Sequence, residues 1–215
     1  MFKYIKALIF LVPFLSVAGF AAAETTLQKV SKKYRNAKLV EMSVEKTVTS
    51  ELLGKETKYQ GKIFLANKKF RWENTTPEKT LLVFDGTTIY SEQTPPKELG
   101  GVVQVAKGKV DKKTGSHILI SSLLGADLEK NFKAVEKEKV ENLVKYDVTP
   151  VSNDLSIKDL KIVLDSKELT MKELSYKDDI GNLTVMRFSN VNLPKKEKNS
   201  LFKYVIPKGA QVTDL

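Results

Sequence analysis

The chain has 215 residues, 41% hydrophobic and 8% aromatic, which suits one globular domain with appendages. It contains no cysteine, which excludes disulfides, thiolate metal sites and a lipid attached to cysteine behind a leader. The net charge of +10 rests on 36 basic residues of which only Arg35, Arg71 and Arg187 are arginines, and base readout and bidentate phosphate recognition favour arginine, so a nucleic-acid partner is not expected.

Lys3 and Lys6 make a positive start, and Ala7 to Ala18 is nearly all apolar but too short to span a bilayer comfortably. Ala21-Ala22-Ala23 supplies small residues for cleavage. Residues 1–23 are therefore predicted to be a signal peptide cut before Glu24, leaving residues 24–215 as a single exported domain, expected in the periplasm. Loss of Lys3 and Lys6 leaves a charge of +8. Many lysines alternate with acids, as in Glu136-Lys137-Glu138-Lys139, and read as a solvated surface that blunts sheet edges.

Glu24 to Asn36 is predicted helical, with Leu27, Val30 and Tyr34 on one face and Thr25 or Thr26 as the cap. From Leu39 the period changes to two: Val40, Met42 and Val44 alternate with Glu41, Ser43 and Glu45, as in a half-buried strand. After a turn at Gly54, Glu56 to Leu65 is extended, with Ile63 and Leu65 sharing a face with Gly61. Lys69 to Asn74, Thr80 to Phe84 and Thr87 to Ser91 follow as a meander, and Asp85-Gly86 is a strong hairpin signal that calls for positive φ at both central positions. Phe70 and Trp72 share one face of their strand, opposite Lys69, Arg71 and Glu73. In the next strand Leu82 and Phe84 oppose Leu81 and Val83, so it is apolar on both faces. Such a sheet needs covering twice, by a packed layer on each face or by a cavity holding something apolar on one of them.

Gln93 to Gly101 is a Pro- and Gly-rich loop, and Val102 to Ala106 another strand. Ser116 to Leu124 and Ala126 to Phe132 are the later helical candidates. In the first, Ile118, Leu119, Ser122 and Leu123 crowd together, a patch that either docks in the core or closes over it. Strands resume near Val140, continue through Val144 to Val148 and Leu160 to Leu164, and reach Leu169 to Tyr176, whose imperfect phase suggests a bulge. Asp178 to Asn182 is a turn, Leu183 to Asn190 a strand, and Ser200 to Ile206 a final strand ended by Pro207. The fold class expected is mainly β: a curved antiparallel sheet of about eleven short strands with two or three short helices against its concave side.

Catalytic chemistry is scarcely represented. The one histidine, His117, reads as an ordinary surface or core residue, because its neighbour Ser116 cannot face it as a nucleophile faces a base. Phosphate-loop, nucleophile-elbow and zinc-helix patterns are missing, and the Asp178–Asn182 turn lacks the spacing of a calcium loop. Neither catalytic residue, metal nor cofactor is expected.

Taken together, Gly61-Lys62-Ile63-Phe64-Leu65, Phe70-Arg71-Trp72, Thr80 to Gly86 and Ile89-Tyr90 resemble the core of the LolA family of periplasmic lipoprotein carriers. Val148-Thr149-Pro150, Asp178 to Thr184, Leu201-Phe202 and Pro207 to Val212 extend the likeness, in order, over nearly the whole of residues 24–215. The resemblance implies an incomplete, half-open β-barrel with a helical lid, a cavity for the acyl chains of lipoproteins, and a monomer. It also implies two partners, an ATP-driven lipoprotein-releasing complex in the inner membrane and, where the host has it, the outer-membrane receptor LolB. That receptor is itself lipidated on a cysteine, so a cysteine-free chain resembles the soluble carrier. Phe70 and Trp72 match cavity-lining aromatics of the family, and Ile63, Leu65, Leu82, Phe84 and Ile89 are the expected remainder of the lining. Ile118, Leu119 and Leu123 are the expected lid. Family members often carry Arg-Pro in the turn before Phe70, the arginine governing the lid. Here the turn reads Ala66-Asn67-Lys68-Lys69, so Asn67 lies nearest the arginine slot and Lys68 could supply its charge. A glutamate at Phe70 is expected to block lipoprotein release without unfolding the protein. A second reading is a regulatory module of the same half-barrel type that senses mislocalised lipoproteins, though such modules usually carry a second domain. A lipid hydrolase would need a nucleophile constellation that the sequence does not show.

Overall fold

The computed structural model describes residues 24–66, 69–96, 98, 100–109, 131–151, 157–196 and 199–215. It contains helix α1 (Thr26–Asn36) and strands β1 (Val40–Thr49), β2 (Glu56–Ala66), β3 (Lys69–Thr76), β4 (Lys79–Phe84), β5 (Thr88–Thr94), β6 (Gln104–Lys109), β7 (Phe132–Val140), β8 (Leu143–Pro150), β9 (Ile157–Asp165), β10 (Thr170–Asp178), β11 (Leu183–Asn192) and β12 (Gln211–Asp214). A 3-10 turn spans Asn199–Phe202. All twelve strands form one open sheet in the order β12-β6-β5-β4-β3-β2-β1-β11-β10-β9-β8-β7. Two meanders, β1 to β6 and β7 to β11, join where β1 pairs with β11.

Thr25 caps α1 in a reciprocal box: its hydroxyl accepts from the Gln28 N–H (3.2 Å), and its own N–H donates to Gln28 Oε1 (2.8 Å). Leu27, Val30 and Tyr34 are buried, as the periodicity predicts. They pack with residues of β1–β3 and of β7–β11 in a single apolar cluster. In a flat sheet β3 and β8 would stand about 29 Å apart at the usual strand spacing. Their membership of one cluster around a single helix therefore means that the sheet bends about α1.

The buried Tyr34 hydroxyl accepts from the Met171 N–H at 3.0 Å, which ties α1 to the start of β10. Burial pushes the Tyr34 phenol up to about 12, opposed by that backbone hydrogen bond. Because the folded-state value lies above the ordinary one, this stabilisation is complete below pH 10 and is lost as pH rises from 10 to about 12. Tyr34→Phe leaves the Met171 N–H unpaired and is expected to lower stability by about 1–3 kcal/mol at neutral pH. Denaturant titrations should also show a smaller loss of stability between pH 10 and 12 than in the wild type.

Several expectations need correction. Among the described residues the sheet has twelve strands rather than about eleven, and it is not wholly antiparallel, since β12 runs parallel to β6. Phe132 opens strand β7 instead of ending a helix, and that strand is complete at Val140, where strands were expected to resume. Ser200 to Ile206 is not a strand; it includes the 3-10 turn and then crosses the sheet's outer face. There Phe202 is buried against Leu39, Phe64 and Ala66, and Arg71 Nη1 donates to the Leu201 carbonyl at 3.1 Å. At Asp85-Gly86 only the glycine takes positive φ (105°); Asp85 Oδ1 instead accepts from the Thr87 and Thr88 N–H groups, both at 2.8 Å. The expected bulge in β10 is present, with register shifts against β9 on either side of Glu173 to Ser175. Among the described residues α1 is the one α-helix of more than a single residue; of the expected lid helices Asn131 is helical, and residues 116–124 and 126–130 lie outside those described.

Candidate functional site

Residues directly opposite on paired antiparallel strands point to the same face. Register therefore groups the predicted lining into rows. Leu65, Phe70, Phe84 and Ile89 form one row across β2, β3, β4 and β5. Ile63, Trp72, Leu82 and Ser91 form the next. All seven predicted lining residues thus lie on one face, the face that carries the α1 cluster. Ile63, Leu65, Phe70 and Ile89 are buried, whereas Trp72, Leu82 and Phe84 keep part of their surface. Phe70 and Trp72 meet edge to face, with centroids 6.5 Å apart and planes at 81°.

The two-sided apolar character of β4 has a structural answer. Leu82 and Phe84 pack towards the α1 cluster. On the other face Val83, paired with Tyr90, is fully buried, and Tyr90 lies against the Tyr204 ring of the C-terminal segment, with centroids 4.9 Å apart. Tyr204 donates from its hydroxyl to Glu92 Oε2 at 2.6 Å, and Lys69 Nζ sits 5.9 Å from the Phe202 ring centroid. One face is thus closed by a packed layer, which leaves the α1 face as the candidate site. Helix α1 packs chiefly against β9, on the far side of β1 from the two rows.

A depression of about 460 Å³ lies near Gly61 and is lined by Ser43, Glu45, Lys62, Glu73 and Thr75, among others. These five residues alternate with the buried residues of their strands and belong to the outer face, opposite the apolar rows. Asn67, Lys68, Ile118, Leu119, Leu123 and His117 lie outside the described residues. Among the described residues no cluster of histidine or acidic groups could hold a metal ion, and no helix is long and apolar enough to cross a membrane.

Sequence reasoning missed Lys46. It follows Val40, Met42 and Val44 in the same two-residue phase, so it belongs to the inner face, where it pairs with Tyr59 and Met186. Its Nζ stands 4.2 Å from the Tyr59 ring centroid and 5.1 Å from that of Trp72. Burial pulls the ammonium below its ordinary pKa. The signal was the phase itself: a lysine at a position the alternation reserves for the core.

The profile described as outer membrane lipoprotein carrier protein LolA matches residues 35–205. The chain belongs to the LolA family. LolA is a family of carriers and not of enzymes, which agrees with the sparse catalytic chemistry of the sequence. An outer-membrane lipoprotein carrier protein of Cupriavidus pinatubonensis is 30% identical over 150 residues, which cover 70% of this chain and 67% of that one. One from Dechloromonas aromatica is 26% identical over 203 residues, covering 94% and 91% respectively. A conserved protein of Thermus thermophilus, 12% identical, superposes with a TM-score of 0.51 over 88% of this chain and 97% of its own, a likeness of fold alone.

Proposed function

We propose that this LolA-family protein is a periplasmic carrier that holds the acyl chains of lipoproteins against the α1 face of its sheet and moves them from the inner to the outer membrane. The observation that carries the reading is the pair of apolar rows on β2–β5. They lie on the inner face, with Trp72, Leu82 and Phe84 still partly open, while the C-terminal segment covers the outer face of these strands around Phe64, Ala66 and Tyr90. Trp72, Leu82 and Phe84 meet the chains, and Ile63, Leu65, Phe70 and Ile89 form the floor beneath them. Each buried methylene is worth about 0.8 kcal/mol, so acyl chains do not cross water unaided. Affinity drawn mainly from apolar area also permits release, because few specific polar bonds must be broken for the chains to leave.

In this reading residues 1–23 direct export, and Ile118, Leu119 and Leu123 belong to a lid that completes a half-open barrel. Asn67 or Lys68 takes the place of the lid-controlling arginine. The carrier acts as a monomer, loaded by an ATP-driven inner-membrane complex and unloaded by LolB or an equivalent receptor. Inner-membrane vesicles with newly acylated lipoprotein and ATP test it. Added protein is expected to release lipoprotein as a soluble one-to-one complex. Failure to release it, together with no acylated protein bound after purification from the native host, would end the reading.

A further inference from the structure

The row beyond Ile63-Trp72-Leu82 is Gly61, Asn74 and Thr80, one pleat or about 6.6 Å further along the strands. Here the inner face changes character. Asn74 Nδ2 donates to Thr80 Oγ1 at 2.8 Å, but Asn74 Oδ1 is buried and has no hydrogen-bond partner among the described residues. The same holds for Trp72 Nε1 in the adjoining row. Buried polar side-chain atoms are normally paired, and an unpaired one costs roughly a hydrogen bond's worth of stability. Lys46 Nζ sits above the rings of Trp72 and Tyr59, and no described carboxylate pairs with it. Two donors and one acceptor are thus gathered where the apolar rows end.

We propose that Lys46, Trp72 and Asn74 form a polar collar that binds the ester and amide groups joining the acyl chains of a lipoprotein to its N-terminal residue. The inference rests on the carrier reading and names the part of the cargo that reading leaves unassigned. Ester and amide carbonyls only accept hydrogen bonds, and Lys46 and Trp72 only donate them. An amide also presents an N–H, and Asn74 Oδ1 is an acceptor to receive it. Order along the strands matches order along the cargo, with tails on the two apolar rows and polar junction on the third. A single ammonium flanked by aromatic rings suits neutral carbonyls, which need no full counter-charge.

The mature protein, titrated with a synthetic peptide carrying two ester-linked and one amide-linked palmitoyl chain in dilute short-chain detergent, provides the test. Trp72 is the sole tryptophan, so its emission reports binding directly; displacement of a fluorescent fatty-acyl probe serves every variant. Trp72→Phe keeps an aromatic ring and removes the N–H, and Lys46→Met keeps most of the stem and removes the charge. Each is expected to weaken lipopeptide binding about fivefold or more, the equivalent of one net hydrogen bond. Because Trp72→Phe also shortens a packed ring and lowers the melt on that account, the deciding readout is selectivity: loss of the collar weakens lipopeptide but not the fatty-acyl probe, whereas a merely structural role weakens both alike. If the wild type binds lipopeptide and both variants bind within twofold of it, the collar is wrong and the carrier reading stands. If the wild type binds no lipopeptide, both fall. Palmitate bound as tightly as lipopeptide, with the same loss in Lys46→Met, would make this a site for a free carboxylate and overturn the assignment.

Discussion

Gly61→Ala is expected to lower stability by more than about 3 kcal/mol, and Gly61→Val by at least as much. A Cβ at Gly61 would lie 2.0 Å from the Glu73 carbonyl oxygen, 2.9 Å from its carbon and 3.1 Å from Asn74 Cα. Every one of these atoms is backbone, so no rotamer change relieves the overlap. The glycine sits where the β2–β3 register shifts, with Gln60 opposite Thr76 and Gly61 opposite Asn74. Making room for a methyl group means parting β2 from β3 at the row that holds Asn74 and next to the row that holds Ile63 and Trp72. In a chain of this length the loss corresponds to a drop of at least roughly 6–12 °C in a melt followed by circular dichroism. Gly54 gives the comparison: its φ is 61°, but nothing lies within 4 Å of its Cβ position. Gly54→Ala should lose only about 1–2 kcal/mol, the ordinary penalty for left-handed backbone. A Gly61→Ala protein that melts within a degree or two of the wild type would show that the two strands do not approach so closely.

The steric role of Gly61 was not legible in its sequence context, where it shares a phase with Ile63 and Leu65. Other features were legible because local rules and tertiary packing agree. The spacing of Leu27, Val30 and Tyr34, with Thr25 ahead of them, specifies α1. The two-residue alternation of β1 to β5 places the seven predicted lining residues on one face, since register preserves phase across paired strands. Misreadings arise where the same pattern serves different ends. Phe202, Tyr204 and Ile206 alternate like a strand, but that segment lies across the outer face, where Phe202 fills a gap against Phe64 and Ala66 and Tyr204 reaches Glu92. Strand β7 is a sheet edge whose residues from Val135 to Val140 are exposed, so its Glu-Lys alternation contains no apolar phase to read. Lys46 was hidden for the opposite reason, being a charged residue where the phase demands an apolar one. Its partial burial over the Tyr59 and Trp72 rings is a place where local preference gives way to tertiary placement.

Phe70→Ala is expected to cost about 3–5 kcal/mol, the usual range for removing a fully buried aromatic side chain. Phe70 is 0% exposed, opposite Leu65 on one side and Phe84 on the other, with the Trp72 ring edge-on beside it. This burial revises what a charge there should do. Phe70→Glu places a carboxylate in the floor of the inner face, where its inner-facing neighbours in the row are apolar. Burying an unpaired charge costs more than the cavity left by alanine. Phe70→Glu should therefore fail to fold, whereas the sequence alone suggested a folded protein that cannot load cargo. The two cases separate cleanly: melts give the stability of both variants, and the vesicle assay gives lipoprotein release by whichever remains folded. A Phe70→Glu protein that keeps a near-wild-type melt yet releases nothing would mean that Phe70 fronts an open, cargo-accessible space rather than forming its floor. The division of the lining into a partly open Trp72-Leu82-Phe84 surface and a closed layer beneath would then have to be redrawn.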